Sequence, residues 1–203
     1  MRADLGAPAA AALWARYAQP HRVYHTGIHL AEAWTALQQV TGGAPAPAAR
    51  LALWFHDAVY DPRRDDNEAA SARLAVAELT SARTPPRSAA LVAQVERLVL
   101  ATAAHVAEPD DTGDQSAAAA LLDADLWILA APRARYEECA LQVRREYAHV
   151  GDELFAAGRS AILRDLLARE HLYATPVGRS WAAAARANMA RELTRYPDTG
   201  PHA

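Results

Sequence analysis

Imidazole and carboxylate side chains recur in three short stretches of this chain, at spacings suited to holding a metal ion. His25 and His29 are four apart, so at the start of a helix they share a face. His56 and Asp57 are adjacent near the end of an apolar helix, where neighbouring positions point about 100° apart. Both reach one ion only if it lies across the helix end or between helices. Asp57 stands beside Trp54 and Phe55, and a carboxylate is costly to bury there unless a cation offsets its charge. Asp123 and Asp125 raise the same question within Leu121-Leu122-Asp123-Ala124-Asp125-Leu126-Trp127. Imidazole plus carboxylate suits a divalent transition metal: Mn²⁺, Fe²⁺, Co²⁺, Ni²⁺ or Zn²⁺. Two histidines and two aspartates would leave positions open for water and a phosphate oxygen. The metal could then act as a Lewis acid and lower the pKa of that water.

The elements that must position these residues read as helices throughout. No sustained alternation of β-branched or aromatic residues marks a strand. Pro8 to Tyr17 reads as a first helix, ended by Pro20, and Gly27 to Val40 as a second, stopped by Gly42-Gly43. Pro47 opens a third, with Leu51, Trp54, Phe55 and Ala58 on one face, and Asp61-Pro62 ends it. A fourth runs from an Asp65 or Asp66 cap to about Ala82, and a fifth from about Arg87 to His105. Glu108 to Gln115 reads as a loop. Ser116 to Ala131, Pro132 to Val150, Asp152 to Glu170 and Gly178 to Tyr196 complete the series, with a frayed tail from Pro197. The expectation is an all-α, single-domain bundle of eight to ten helices spanning residues 1–203, with a metal where the second, third and sixth helices meet.

Composition narrows the classes. The 203 residues are 52% hydrophobic, and 24 acids against 21 bases give a net charge of −3. That balance argues against binding a nucleic-acid duplex but allows a small anionic substrate in a local basic pocket. The single cysteine, Cys139, cannot form an internal disulfide, and it lies beside Glu137 and Glu138, which disfavours a thiolate. No apolar run is long enough for a bilayer, and a cytoplasmic location is the default reading.

The ordered set His29, His56-Asp57 and a late aspartate resembles the HD superfamily of metal-dependent phosphohydrolases. Tyr24-His25-Thr26-Gly27-Ile28-His29 is similar to a run in its cyclic-nucleotide phosphodiesterase branch, which implies His25 as general acid and His29 as metal ligand. Phe55-His56-Asp57-Ala58-Val59-Tyr60-Asp61, then Asp66-Asn67-Glu68 and Ser71, resembles small bacterial predicted HD phosphohydrolases, as do Asp123-Ala124-Asp125-Leu126 and Ala185-Arg186-Ala187-Asn188. The match covers about residues 14 to 193. The resemblance implies metal ligation by His29, His56, Asp57 and Asp125, the last chosen over Asp123 because it precedes a leucine. It implies a water-orienting role for Glu68, and a second-metal or phosphate role for His105. It also allows a homodimer.

Other features have plainer readings. Arg144, Arg145, Arg164, Arg169 and Arg186 are candidate phosphate partners, with Arg144 and Arg186 put forward together with His105 for substrate binding. Asp61 and Asn67 read as turn and cap residues, and Trp34, Trp54, Trp127 and Trp181 as core. His149, His171 and His202 have no partner pattern. The activity expected is hydrolysis of a phosphoester of a nucleotide or other small phosphorylated metabolite, without membrane involvement. Its rivals are pyrophosphate or cyclic-nucleotide hydrolysis at the same site, a nucleotide sensor without turnover, and a structural zinc module.

Overall fold

Alanine-rich segments with helical periodicity become ten α-helices in the computed structural model, which describes residues 1–105 and 115–196. They are α1 (Arg2–Leu5), α2 (Ala7–Tyr17), α3 (Gly27–Val40), α4 (Pro47–Phe55), α5 (Asn67–Leu79), α6 (Ala89–Ala101), α7 (Gln115–Asp125), α8 (Arg133–Glu146), α9 (Asp152–Ala168) and α10 (Pro176–Leu193). A 3₁₀ segment, Leu126–Ala130, continues α7. No strand occurs among the described residues, and none of their helices is long and apolar enough to cross a membrane. Residues 108–114 of the expected loop, and the tail from Pro197 with His202, lie outside the described residues.

Capping chemistry sets several helix starts. Thr26, Ser88 and Thr175 each accept a backbone N–H of the first turn of α3, α6 and α10, satisfying donors that a helix leaves open. The main core buries Leu30, Leu37, Leu51, Leu53, Phe55, Val95 and Leu121. A second cluster joins Tyr136, Leu163, Tyr173 and Met189 near the C-terminal end. Trp54 is buried, and Trp34, Trp127 and Trp181 pack against the core, as their apolar positions predict.

Several elements differ from the periodicity, three of them instructively. The chain already forms a short helix, α1, ahead of the first expected one. The third expected helix stops at Phe55 instead of continuing to Asp61. Its next carbonyls are taken by other groups: the Arg22 guanidinium accepts none but donates to Asp57 O and Ala58 O, while Ser71 Oγ binds both Val59 N and Val59 O. The helix expected to reach Val150 stops at Glu146, where Arg144 donates to the carbonyls of Tyr147 and Val150.

Candidate metal centre

Where α3, α4 and α7 meet, four side chains converge. His29 stands on the first turn of α3, His56 caps the C-terminus of α4 with Asp57 next to it, and Asp125 ends α7. The early stop of α4 lets two adjacent residues face one point. His29 Nε2 lies 3.1 Å from His56 Nε2, 3.4 Å from Asp57 Oδ2 and 3.2 Å from Asp125 Oδ1. His56 Nε2 is 3.1 Å from Asp57 Oδ2 and 3.3 Å from Asp125 Oδ1.

Hydrogen bonds on the far side of each ring fix which nitrogen points inward. His56 Nδ1 is 2.8 Å from the carbonyl of Leu53, which only accepts, so Nδ1 carries the hydrogen. His29 Nδ1 is 3.0 Å from the buried Tyr24 hydroxyl. This outward anchoring is what ligating histidines use to fix tautomer and ring orientation. In the neutral form, His56 therefore presents a lone pair at Nε2, facing two acceptor-only carboxylates. Acceptors packed this closely require shared protons or a cation between them. A divalent ion about 2.1 Å from each ligand would place adjacent ligand atoms about 3.0–3.4 Å apart, as observed here. His29, His56 and Asp57 form a group able to hold a metal ion, and Asp125 closes on both imidazoles from its own helix.

The electrostatics agree. Burial pushes the Asp57 and Asp125 carboxyls up and the His29 and His56 imidazoles down, yet all four move the other way. His56 and its neighbours hold both carboxyls well below the usual carboxylate range. The two carboxylates raise His29 to about 9 and His56 well above its usual value.

Asp123 is not part of this group. Its carboxylate accepts Ala174 N at 2.8 Å, Thr175 N at 2.8 Å and Thr175 Oγ1 at 2.6 Å, at the start of α10. A Cβ on Gly178 would lie 2.1 Å from Asp123 Oδ2, so glycine is required for this approach. Asp125 is the aspartate that meets the histidines.

His25 precedes α3 instead of sharing its first turn with His29, and its ring lies 5.9 Å from the His29 ring. It stacks on Tyr60 at 4.0 Å, and its Nδ1 lies 2.7 Å from Glu146 Oε2. Sequence reasoning missed Glu146. This buried carboxylate also accepts the backbone N–H groups of Val23, Tyr24 and His25 and the Tyr60 hydroxyl. Burial pushes it up, but His25 and those N–H groups outweigh that and hold it at about 2. Arg22 was missed too. It is 5% exposed, and its guanidinium binds the carbonyls of His25, Asp57 and Ala58, tying the segment before α3 to the one after α4.

Other predicted residues fall elsewhere. Glu68 opens α5 outside the ligand group, and its charge is felt by Tyr147. Arg144 donates to carbonyls at the α8–α9 turn and pairs with Asp152 at 2.6 Å. Arg186 donates to the carbonyls of Leu167 and Arg169 at the end of α9. Both guanidiniums are engaged by backbone carbonyls. Arg145 is exposed on α8, while Arg169 binds the carbonyls of Ala104 and His105. His105 Nε2 lies 3.0 Å from Asp125 Oδ2. Asp61 and Asn67 pair through their backbone and side chain, as turn residues do. The Cys139 thiol is buried and pushed up to about 12, which disfavours the thiolate.

Comparison with family models, with characterised proteins and with solved structures finds no match to this chain.

Proposed function

We propose that this protein is a metal-dependent phosphohydrolase of the HD type, acting on a phosphoester of a nucleotide or another small phosphorylated metabolite. The observation that supports it best is the convergence of His29, His56 and Asp57 on one point, with Asp125 Oδ1 within 3.3 Å of both imidazoles and each ring anchored on its outer nitrogen. His29, His56, Asp57 and Asp125 would hold a divalent transition metal, which when bound supplies Lewis-acid activation of water and of a phosphoryl oxygen.

The chain's own residues supply the rest. Glu146 accepts from His25 Nδ1 and so directs the other ring nitrogen away from itself. His25, partly exposed beside the ligand group, would give a proton to the leaving oxygen. Arg22 and Ser71 hold the backbone on either side of His56-Asp57, so the ligands need little reorganisation.

The test is phosphate release from nucleoside mono-, di- and triphosphates and sugar phosphates. The metal-stripped protein is resupplied in turn with Mn²⁺, Co²⁺, Ni²⁺, Zn²⁺ and Mg²⁺, with Asp57→Ala as the blank. Metal-dependent release that is absent from the blank is the expected result. Silence with metal bound would overturn monoester hydrolysis and turn attention to diesters, pyrophosphates or a sensor.

A further inference from the structure

Asp125 divides its two oxygens. Oδ1 faces His29 and His56 at 3.2 Å and 3.3 Å, while Oδ2 lies 3.0 Å from His105 Nε2. An ionised carboxylate only accepts, so the imidazole N–H is the donor in that contact. His105 follows α6 with φ of 49°, in the left-handed region that non-glycine residues seldom adopt. Its backbone is held there from another helix. Arg169 donates to His105 O at 3.0 Å and to Ala104 O at 3.2 Å, and Arg186 donates to Arg169 O at 2.6 Å. A strained residue persists where its surroundings over-determine it, and here two arginines and a carboxylate do so. Among the described residues, no further acid, histidine or cysteine forms a ligand group with His105.

We propose that His105 is a positioning residue that makes Asp125 a one-oxygen ligand and so keeps a coordination position open for substrate. This rests on the metal reading above. A carboxylate with both oxygens free can close on a cation with both, whereas Oδ2 held by His105 is withdrawn from that role. An open position is what separates a catalytic metal site from a closed structural one. Arg186 and Arg169 thereby acquire a purpose: they brace the His105 backbone instead of binding phosphate.

The test compares His105→Gly with His105→Gln. Glycine takes the left-handed backbone without strain and removes the donor, while glutamine places an amide N–H near the position of Nε2. Co²⁺ affinity is measured by competition with a chelating dye, and the Co²⁺ visible spectrum reports coordination number. The expected result is about 10- to 100-fold weaker Co²⁺ binding and an altered spectrum for His105→Gly, with His105→Gln close to the parent in both. Parent-like affinity and spectrum in His105→Gly would overturn the proposal. So would equal losses in both variants, or a fall confined to metal-free thermal stability. Asp57→Ala is run alongside, and if it retains Co²⁺ the metal reading itself fails and takes this role with it.

Discussion

Asp123 and Asp125 are two positions apart in α7 and serve different ends. One holds the segment that opens α10, and the other faces both imidazoles of the proposed ligand group. Asp123→Ala should cost about 3 kcal/mol of stability, because three part-buried donors lose a buried acceptor, while metal affinity stays unchanged. Asp125→Ala should lower metal affinity about 100-fold or more. Denaturant titration together with metal competition checks the pair, and metal loss in Asp123→Ala would contradict the assignment. Glu146 gives a second prediction at this scale. Its folded pKa of about 2 lies below its ordinary 4.5, so its contribution is present above 4.5 and is lost as pH falls towards 2. Glu146→Gln should flatten the acid side of the stability profile between those values. Turnover should fall about 10- to 100-fold with metal content intact, as expected when a positioned acid loses its support.

At the scale of elements, local signals showed most of the helices and chemistry linked distant ones. α3 was legible from Gly27 to Val40, with Gly42-Gly43 as its stop signal. His29, His56 and Asp57 stood out because polar residues beside apolar runs demand an explanation. Glu146 and Arg22 did not, since their partners lie far away in sequence and no spacing rule connects them: Glu146 reaches back to Val23 and His25, and Arg22 forward to Asp57. The carbonyls that Arg144 and Arg186 bind were not legible, because a guanidinium that caps carbonyls looks, in sequence, like one that awaits phosphate. The end of α4 was missed for a related reason, as Arg22 and Ser71 compete for its next carbonyls from other parts of the chain. Arg22→Ala should therefore cost about 3 kcal/mol or more, since three buried or half-buried carbonyls lose a donor. A loss below about 1 kcal/mol in denaturant unfolding would show that the clamp is dispensable.

For the whole molecule, a metal held by the proposed ligand group would couple folding, protons and metal binding. His29 is raised from 6.5 to about 9, so its contribution is fully present below 6.5 and is lost as pH climbs through 9. The metal-stripped protein should lose thermal stability across that window, and the metal-loaded protein should lose much less. Metal must displace the protons held by His29 and His56, so binding near neutral pH should release protons and tighten as pH rises. Calorimetry in buffers of different ionisation enthalpy measures that release.

The central claim is that four convergent acceptors hold a divalent cation. Its most direct test is metal content and affinity of the purified chain, measured beside Asp57→Ala and Asp125→Ala. The account predicts one tightly held transition-metal ion per chain, lost from both variants while their helical content remains. A native chain that takes up no metal, or variants that keep it, would contradict the account.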